Sequence, residues 1–589
     1  VATLRQTGVA VDPFMNFQKS NGFSVKLWRG ERMCLAGMDV DQPEPDFVGF
    51  SIEVRSPGNS SFLPLRNRLN FSYTQPVHKA VNGYRNFPST EAPFQKFRWL
   101  HFPQNPRGGN YVYRVTKQHM HSDGKLAAGT SITLDIPLDP VTYDNYLDVG
   151  FTRNFASSQA YAERYKNNPN VIPAKADDGL KFKKLAGDVY QWLGFEAYDM
   201  MFAFLDEVSG DKSMTLDMFA YDLNEIDIVS RLVKMGKRVR AIIDNSGSHG
   251  KPTSAETQAA GLLANSAGQA NVTRMHFKNL QHNKVLIARR NGQPVKVLFG
   301  STNFSFRGLY IQANNVLVFY SNEAAQLFGD AFDLAFKDPK SFYADPISKQ
   351  WHLVQETGKP SATFCFSPHG AADLSLSPVS AAIEQATSSV LFAISFLSLM
   401  GKTTPVRQAI DRLMGKKVFS YGVSDRKGGL SVRKPDGSVG LVDFEYLAKN
   451  VPEPFKSEWS GGAGIHEHHK FVVTDFSLPT AKVFTGSSNL SPSGEEGNGD
   501  NLVMIADPRV ATAYAIEALR IFDHLHFRSV MQDALGNGKG KKSAGKKAKP
   551  AGQALTLRKP TALSGQPAWF EKYYVEDSEA ENDRMLFSH

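Results

Sequence analysis

The chain has 589 residues, 41% of them hydrophobic and 21% charged, and only two cysteines. Several domains and a large core fit in that length, while two cysteines, Cys34 and Cys365, exclude a disulfide-stapled scaffold and a thiolate metal cluster. Net charge is +9, but residues 536–550, GNGKGKKSAGKKAKP, hold six lysines and no acid, so the rest carries only +3 and a strongly basic body is excluded.

In chain order, the stretch from Gly22 to about Pro140 shows short alternating runs, FSVKLW, FVGFSIEV, FQKFRWL, NYVYRVT and TSITLDIPL, broken by Gly, Pro and Asn. Period-two alternation between turn residues predicts an antiparallel β-sandwich-like domain over residues 1–150. Phe97, Trp99, Tyr111 and Tyr113 lie on those strands and are expected in its core rather than in a ligand groove. Beyond residue 150 the pattern changes to helices feeding buried strands: IDIVSRLVKMG has helical spacing, and RVRAIIDNS reads as a parallel strand closed by turn residues. One α/β domain is expected over 151–365 and a second of the same order over 366–535, closed by the helix ATAYAIEALRIFDH. Residues 428–440 read as a turn-rich surface loop, with the rim of a cleft as the alternative. Residues 536–560 read as a Lys/Gly/Ala-rich linker and 561–589 as a tail whose aromatics, WFEKYYV, dock back on the body.

The most apolar run, Val390 to Met400, falls well short of the roughly 20 residues of a membrane span. No signal-peptide core appears near the start. A soluble, cytoplasmic protein is expected, with export left open should a segment before Val1 have been removed.

Two long stretches match. QHNKVLIARRNGQPVKVLFGSTNFSFRGLYIQANN begins at Gln281 and HHKFVVTDFSLPTAKVFTGSSNLSPSGEEGNGDN at His468. His282 to Gly300 and His468 to Gly486 each span 18 positions, the mark of an internal duplication. In His282-Asn283-Lys284 and His468-His469-Lys470 the i,i+2 spacing puts His and Lys on one face of a strand. Ser301 and Asn303, like Ser487 and Asn489, follow a strand end where hydroxyl and amide groups can meet an anion. Packed face to face, the two halves would gather two imidazoles, two ammonium groups and four neutral donors, with no carboxylate or thiolate cage. Such a set suits phosphoryl transfer with no metal and no cofactor. One histidine attacks phosphorus, the other protonates the leaving oxygen, Lys, Asn and Ser hold the charged oxygens, and water resolves the phosphohistidine. His276, His369, His466, His469, His524 and His526 are read as structural or exposed. Zinc at His466, His468 and His469 is the competing reading, and strand alternation, which turns His469 away from His468, disfavours it.

These segments resemble the paired HxK(x4)D and GSxxN motifs of the phospholipase D superfamily. The resemblance implies a pseudo-twofold pair of α/β domains with the active site at their interface, His282 as nucleophile and His468 as general acid. Asp475, five residues after Lys470, falls where the family has its aspartate, an orienting or structural partner counted here with the catalytic set; the first copy has Arg289 there. Asn314 and Asn501 match positions where the family often has a polar residue and are taken as substrate-binding; neither copy keeps the acid that frequently follows two places later. One chain supplies both half-sites, so oligomerisation is not required. The family includes phospholipases, phosphatidyl-transferring synthases and nucleases. The near-neutral body favours a phospholipid, hydrolysed or transferred, over nucleic acid; a non-catalytic phosphate-binding protein is the further alternative, motivated by Arg289. The lysine segment suits contact with anionic lipid or nucleic acid alike.

Overall fold

The computed structural model describes residues 14–73, 86–397, 400–425, 441–443, 466–534 and 555–589. The strip at 428–440 and the lysine segment at 536–550 lie outside the described residues. The chain divides into two units, Val1–Pro140 with Met531–His589, and Val141–Val530.

In the first unit the alternating runs form two four-stranded sheets. One holds Met15–Ser20, Phe23–Arg29, Cys34–Val40 and Arg98–His101; the other holds Leu126–Pro137, Asn110–Met120, Phe47–Arg55 and Leu63–Pro64. Every pairing is antiparallel, and inward residues of both sheets, among them Phe23, Phe50, Phe97, Tyr113 and Ile132, share one core. Tyr111 is buried with them, while Trp99 packs partly buried at the flank against Phe94. The tail completes this core rather than covering it: Trp569 and Tyr573 are buried inside, and Trp569 Nε1 donates to the Phe47 carbonyl at 3.2 Å. At Gly37 an added Cβ would meet the Phe587 carbonyl oxygen at 2.0 Å, so only glycine lets the tail lie on that strand.

The second unit contains two eight-stranded mixed sheets of matching order. The first runs Thr142–Tyr143, Leu147–Phe151, Asn315–Phe319, Gln293–Gly300, Val285–Arg290, Met214–Ala220, Val239–Asp244, Val272–Met275. The second runs His352–Val354, Ser361–Ser367, Asp500–Ala506, Lys482–Gly486, Lys470–Thr474, Ser389–Ile394, Phe419–Ser424, Leu441–Asp443. Parallel pairs need a crossover, which Ile226–Met235 and Ala255–Ala267 supply in the first half and Pro405–Arg412 in the second. The helix Ile226–Met235 starts on the Glu225 side chain, which accepts from Ile228 N, and stops at Gly236 with φ +60°. The strands read as unbroken apolar runs because helices cover the sheet; Val285–Ala288 and Lys470–Thr474 are buried throughout. Asn291-Gly292, both at positive φ, turn Val285–Arg290 back into Gln293–Gly300.

The sheet edge differs from the division at residue 150. Leu147–Phe151 pairs with Asn315–Phe319, so the first α/β half takes in a strand assigned on sequence to the β domain. Its alternating pattern looks like the preceding strands, and only its partner reveals its place. The closing helix is longer than its apolar spacing suggested, Pro508–Ala534.

Candidate active site

The two motifs enter their strands beside chain from the opposite half. Gln281 forms a parallel bridge with Gly499, and Ala313 one with Glu467. His282 N donates to the Gly499 carbonyl at 2.8 Å, and His468 N to the Ala313 carbonyl at 3.1 Å. The twofold-related bridges bring each histidine against a side chain the other half provides. His282 Nδ1 donates to Asp500 Oδ1 at 2.7 Å, and His468 Nδ1 to Asn314 Oδ1 at 2.8 Å. The Asn314 amide is fixed from both ends, since its Nδ2 donates to the Gly308 carbonyl at 2.9 Å and its Oδ1 also accepts from Ser301 Oγ at 2.8 Å. Both imidazoles therefore carry a proton on Nδ1 and leave Nε2 for chemistry.

Lys284 Nζ donates to the His282 carbonyl and lies 4.9 Å from the Tyr221 ring centre; Lys470 Nζ donates to the His468 carbonyl at 2.8 Å, 5.8 Å from Phe396. All four groups are buried. Burial brings Lys284 down to about 8 against the pull of Asp500, Asp222 and Asp244. Lys470 is pushed well below the usual range by burial and by Lys284, against Asp500 and Glu467. Burial lowers His282 while Asp500 opposes it; His468 is pushed well below the usual range by burial and by Lys470, Lys284 and His282. The pocket crowds cationic groups that an anion would relieve.

The Gly-Ser-x-Asn loops sit where two glycines permit it. Gly300 and Gly486 have φ +151° and +145°, and a Cβ on either would fall 2.4 Å from the carbonyl of Asn315 or Asn501. Ser301 and Ser487 do not aim at an anion: each hydroxyl accepts a backbone N–H at 3.0 Å, from Asn315 and Asn501 respectively. Ser301 acts instead on Asn314, and so on His468. Asn303 Nδ2 donates to Asp222 Oδ2 at 2.8 Å, and the buried Oδ1 atoms of Asn303 and Asn489 find no partner among the described residues.

Two expectations shift. Asp475 is not brought to the site. It caps the start of the neighbouring strand, accepting from the N–H groups of Thr387, Ser388 and Ser389 at 3.0, 2.7 and 3.1 Å, about 16 Å of strand from Lys470. Arg289, at the matching place, joins Asp217 at 2.6 Å and Asp333 at 2.9 Å, so it too is remote. Asn501 matches Asn315, not Asn314; its Nδ2 donates to Asn283 Oδ1 at 2.8 Å. The true partner of Asn314 is Asp500, each 32 positions after its histidine, so the second copy does keep an acid.

His469 turns to Glu517, 3.3 Å away, and does not join His468. Among the described residues one set of three metal-ligating side chains converges, Asp222, His249 and Glu256, with ligand atoms within 4.8 Å of one another. Both His249 ring nitrogens already face carboxylates, Asp244 at 2.8 Å and Asp222 at 3.2 Å, which suits an imidazolium rather than a metal ligand.

Residues 211–335 match the family described as cardiolipin synthase, PLD-like domain. No curated protein matches the chain. Among solved structures, polyphosphate kinase from Porphyromonas gingivalis aligns at 11% identity and TM-score 0.36, over 55% of this chain and 48% of its own, so the chain spans about half that protein. Phosphatidylserine synthase from Haemophilus influenzae aligns at 11% identity and TM-score 0.38, over 62% of this chain and 91% of its own. Nuc from Salmonella typhimurium, a phospholipase D family member, aligns at 24% identity and TM-score 0.18, over 23% and 85%. Residues 211–335 thus carry a PLD-like domain, and the second half of the unit repeats its strand order and its motif.

Proposed function

We propose that the chain is a metal-independent phosphodiesterase working through a covalent phosphohistidine. One observation carries the reading: two buried histidines share one cationic pocket, one held by a carboxylate and the other by an amide. Asp500 makes His282 Nε2 the more basic nitrogen and offsets the positive charge that the ring gains on attack, as a nucleophile requires. Asn314 leaves His468 the weaker base and hence the stronger acid. A bound phosphodiester, by its charge, raises the proton affinity of His468 and loads Nε2. His282 Nε2 then bonds to phosphorus, the bond to the leaving oxygen breaks, and that oxygen takes the His468 proton. Water next attacks phosphorus, the P–N bond breaks, and a proton from that water returns to His468. Lys284, Lys470, Asn303 and Asn489 hold the non-bridging oxygens.

Phospholipid is the favoured substrate. Outside the lysine segment the net charge is only +3, and Phe396 stands beside the general acid. The test assays wild type, His282→Ala and His468→Ala with EDTA on phosphatidylcholine, bis(p-nitrophenyl) phosphate and single- and double-stranded DNA. Turnover of phosphatidylcholine by wild type alone is expected; turnover of DNA alone would make the chain a nuclease, unchanged turnover in both variants would remove the two histidines from the mechanism, and no turnover of any substrate would favour a phosphate-binding protein. An acid-labile, alkali-stable label from a phosphorus-labelled substrate, absent in His282→Ala, is expected for the intermediate.

A further inference from the structure

On the His282 side of the pocket a chain of side chains runs outward that has no counterpart on the other side among the described residues. Asp244 ends the strand Val239–Asp244; its Oδ1 accepts from Gln281 N, the residue before His282, at 2.8 Å, and its Oδ2 faces His249 Nδ1 at 2.8 Å. His249 Nε2 faces Asp222 Oδ1 at 3.2 Å, and Asp222 Oδ2 accepts from Asn303 Nδ2 at 2.8 Å. The loop carrying Asp222 is tied to the Gly300–Asn303 loop by the bridge between Leu223 and Phe304. Arg274 pins the His249 main chain, its Nη2 donating to the carbonyl at 2.6 Å. One face of the His249 ring meets Tyr221, centres 4.6 Å apart, and Tyr221 in turn meets His282 at 4.8 Å.

We propose that His249, as an imidazolium clasped between Asp222 and Asp244, is a positioning residue that locks Asn303 and the entry of the His282 strand into one rigid frame. Carboxylates only accept, so a ring facing one through each nitrogen donates from both and is cationic. Burial works against that charge, while Asp222, Asp244 and Glu256 outweigh it and hold the ring at about 10. Among the described residues the second half shows no such clasp. Phe219 pairs with Val285 and Ala393 with Phe471, which sets Asp222 opposite Phe396 in the matched halves. Asp425 repeats the Asp244 contact with the strand entry, accepting from His466 N at 2.7 Å and Glu467 N at 3.0 Å. The frame thus serves the half that carries the proposed nucleophile.

The inference rests on the phosphodiesterase reading, and its test separates the two. Hydrolysis of bis(p-nitrophenyl) phosphate is measured with EDTA for wild type, His249→Ala, His249→Arg and Asp222→Ala, each corrected for its folded fraction. His249→Ala should lose about 10- to 100-fold in kcat with KM within about twofold, the scale of a small misplacement of a reacting group. Added imidazole should restore part of that loss, and should restore nothing to Asp222→Ala. His249→Arg should keep most of kcat, and it replaces the alanine variant should that one not fold. Full kcat in His249→Ala, or a loss equal in both His249 variants and untouched by imidazole, overturns the clasp and leaves the phosphodiesterase standing. Wild type inactive on every phosphodiester overturns both. Wild-type activity lost to EDTA and restored by zinc assigns Asp222, His249 and Glu256 to a metal and overturns the clasp.

Discussion

The two α/β halves share strand order, motif spacing and the glycine-dependent Gly-Ser-x-Asn loop, and differ in the side chains beside their histidines. His282 leans on Asp500 and His468 on Asn314; Asp222 stands opposite Phe396; buried Glu495 occupies the place of Leu309. A duplicated fold has kept its frame and diverged in the side chains next to the pocket, so that two similar imidazoles acquire unequal basicity. The lesson is that the roles of the halves are written in their neighbours rather than in the motif.

The largest expected effect breaks the comparison outright. His282→Ala should remove turnover of every phosphodiester, by about 10⁴-fold or more, whereas His468→Ala should lose on the order of 10³-fold on phosphatidylcholine and far less on bis(p-nitrophenyl) phosphate, whose leaving group departs without a proton. Equal losses on both substrates would show that His468 is not the acid. Exchanging the neighbours sharpens the contrast: Asp500→Asn should cost about 10- to 100-fold in kcat, the worth of one hydrogen bond to a charged group. Asn314→Asp, by favouring the charged form of His468, should move the limb of the pH–rate profile set by the acid to higher pH.

That Asp500 escaped the sequence reading has a physical cause. The duplication makes corresponding side chains identical only where both halves need the same chemistry, and here they need an acid and an amide. An alignment led by shared asparagines therefore slipped by one position, although the spacing of 32 from each histidine held the answer. The HxK pairs, the strands that carry them and the sandwich core were legible because apolar periodicity and repeat spacing are local signals. Asp222 and His249 were not: they sit 27 positions apart on separate loops and meet only after two strands have paired in parallel. For the tail, the aromatic run announced that it would pack, but not that Trp569 would complete the sandwich core.

Smaller effects concern the frame. Asp475→Ala should lower stability by on the order of 3 kcal/mol, since three backbone N–H groups lose their acceptor, with kcat per folded molecule unchanged; chemical denaturation with an activity assay on the same sample checks both. A fall in kcat of the folded fraction would return Asp475 to the mechanism.

The smallest effect lies at Glu495, which accepts from Ser375 Oγ at 2.6 Å and from Ser488 Oγ, and which burial raises from 4.5 to about 7. Between those values the folded chain keeps a proton that the unfolded chain releases, so the stability Glu495 contributes is complete in acid and declines as pH rises towards about 7. Glu495→Gln should therefore gain a few degrees of melting temperature on wild type across that window; parallel melting curves would show the group to be ionised throughout.

The cross-half partners also govern when the site comes into being. His282 waits for an aspartate 218 residues further along the chain. During synthesis the first half emerges with its histidine still lacking that carboxylate, and the second half brings both His468 and Asp500. The proposed phosphodiesterase site is therefore incomplete in any chain truncated between the halves.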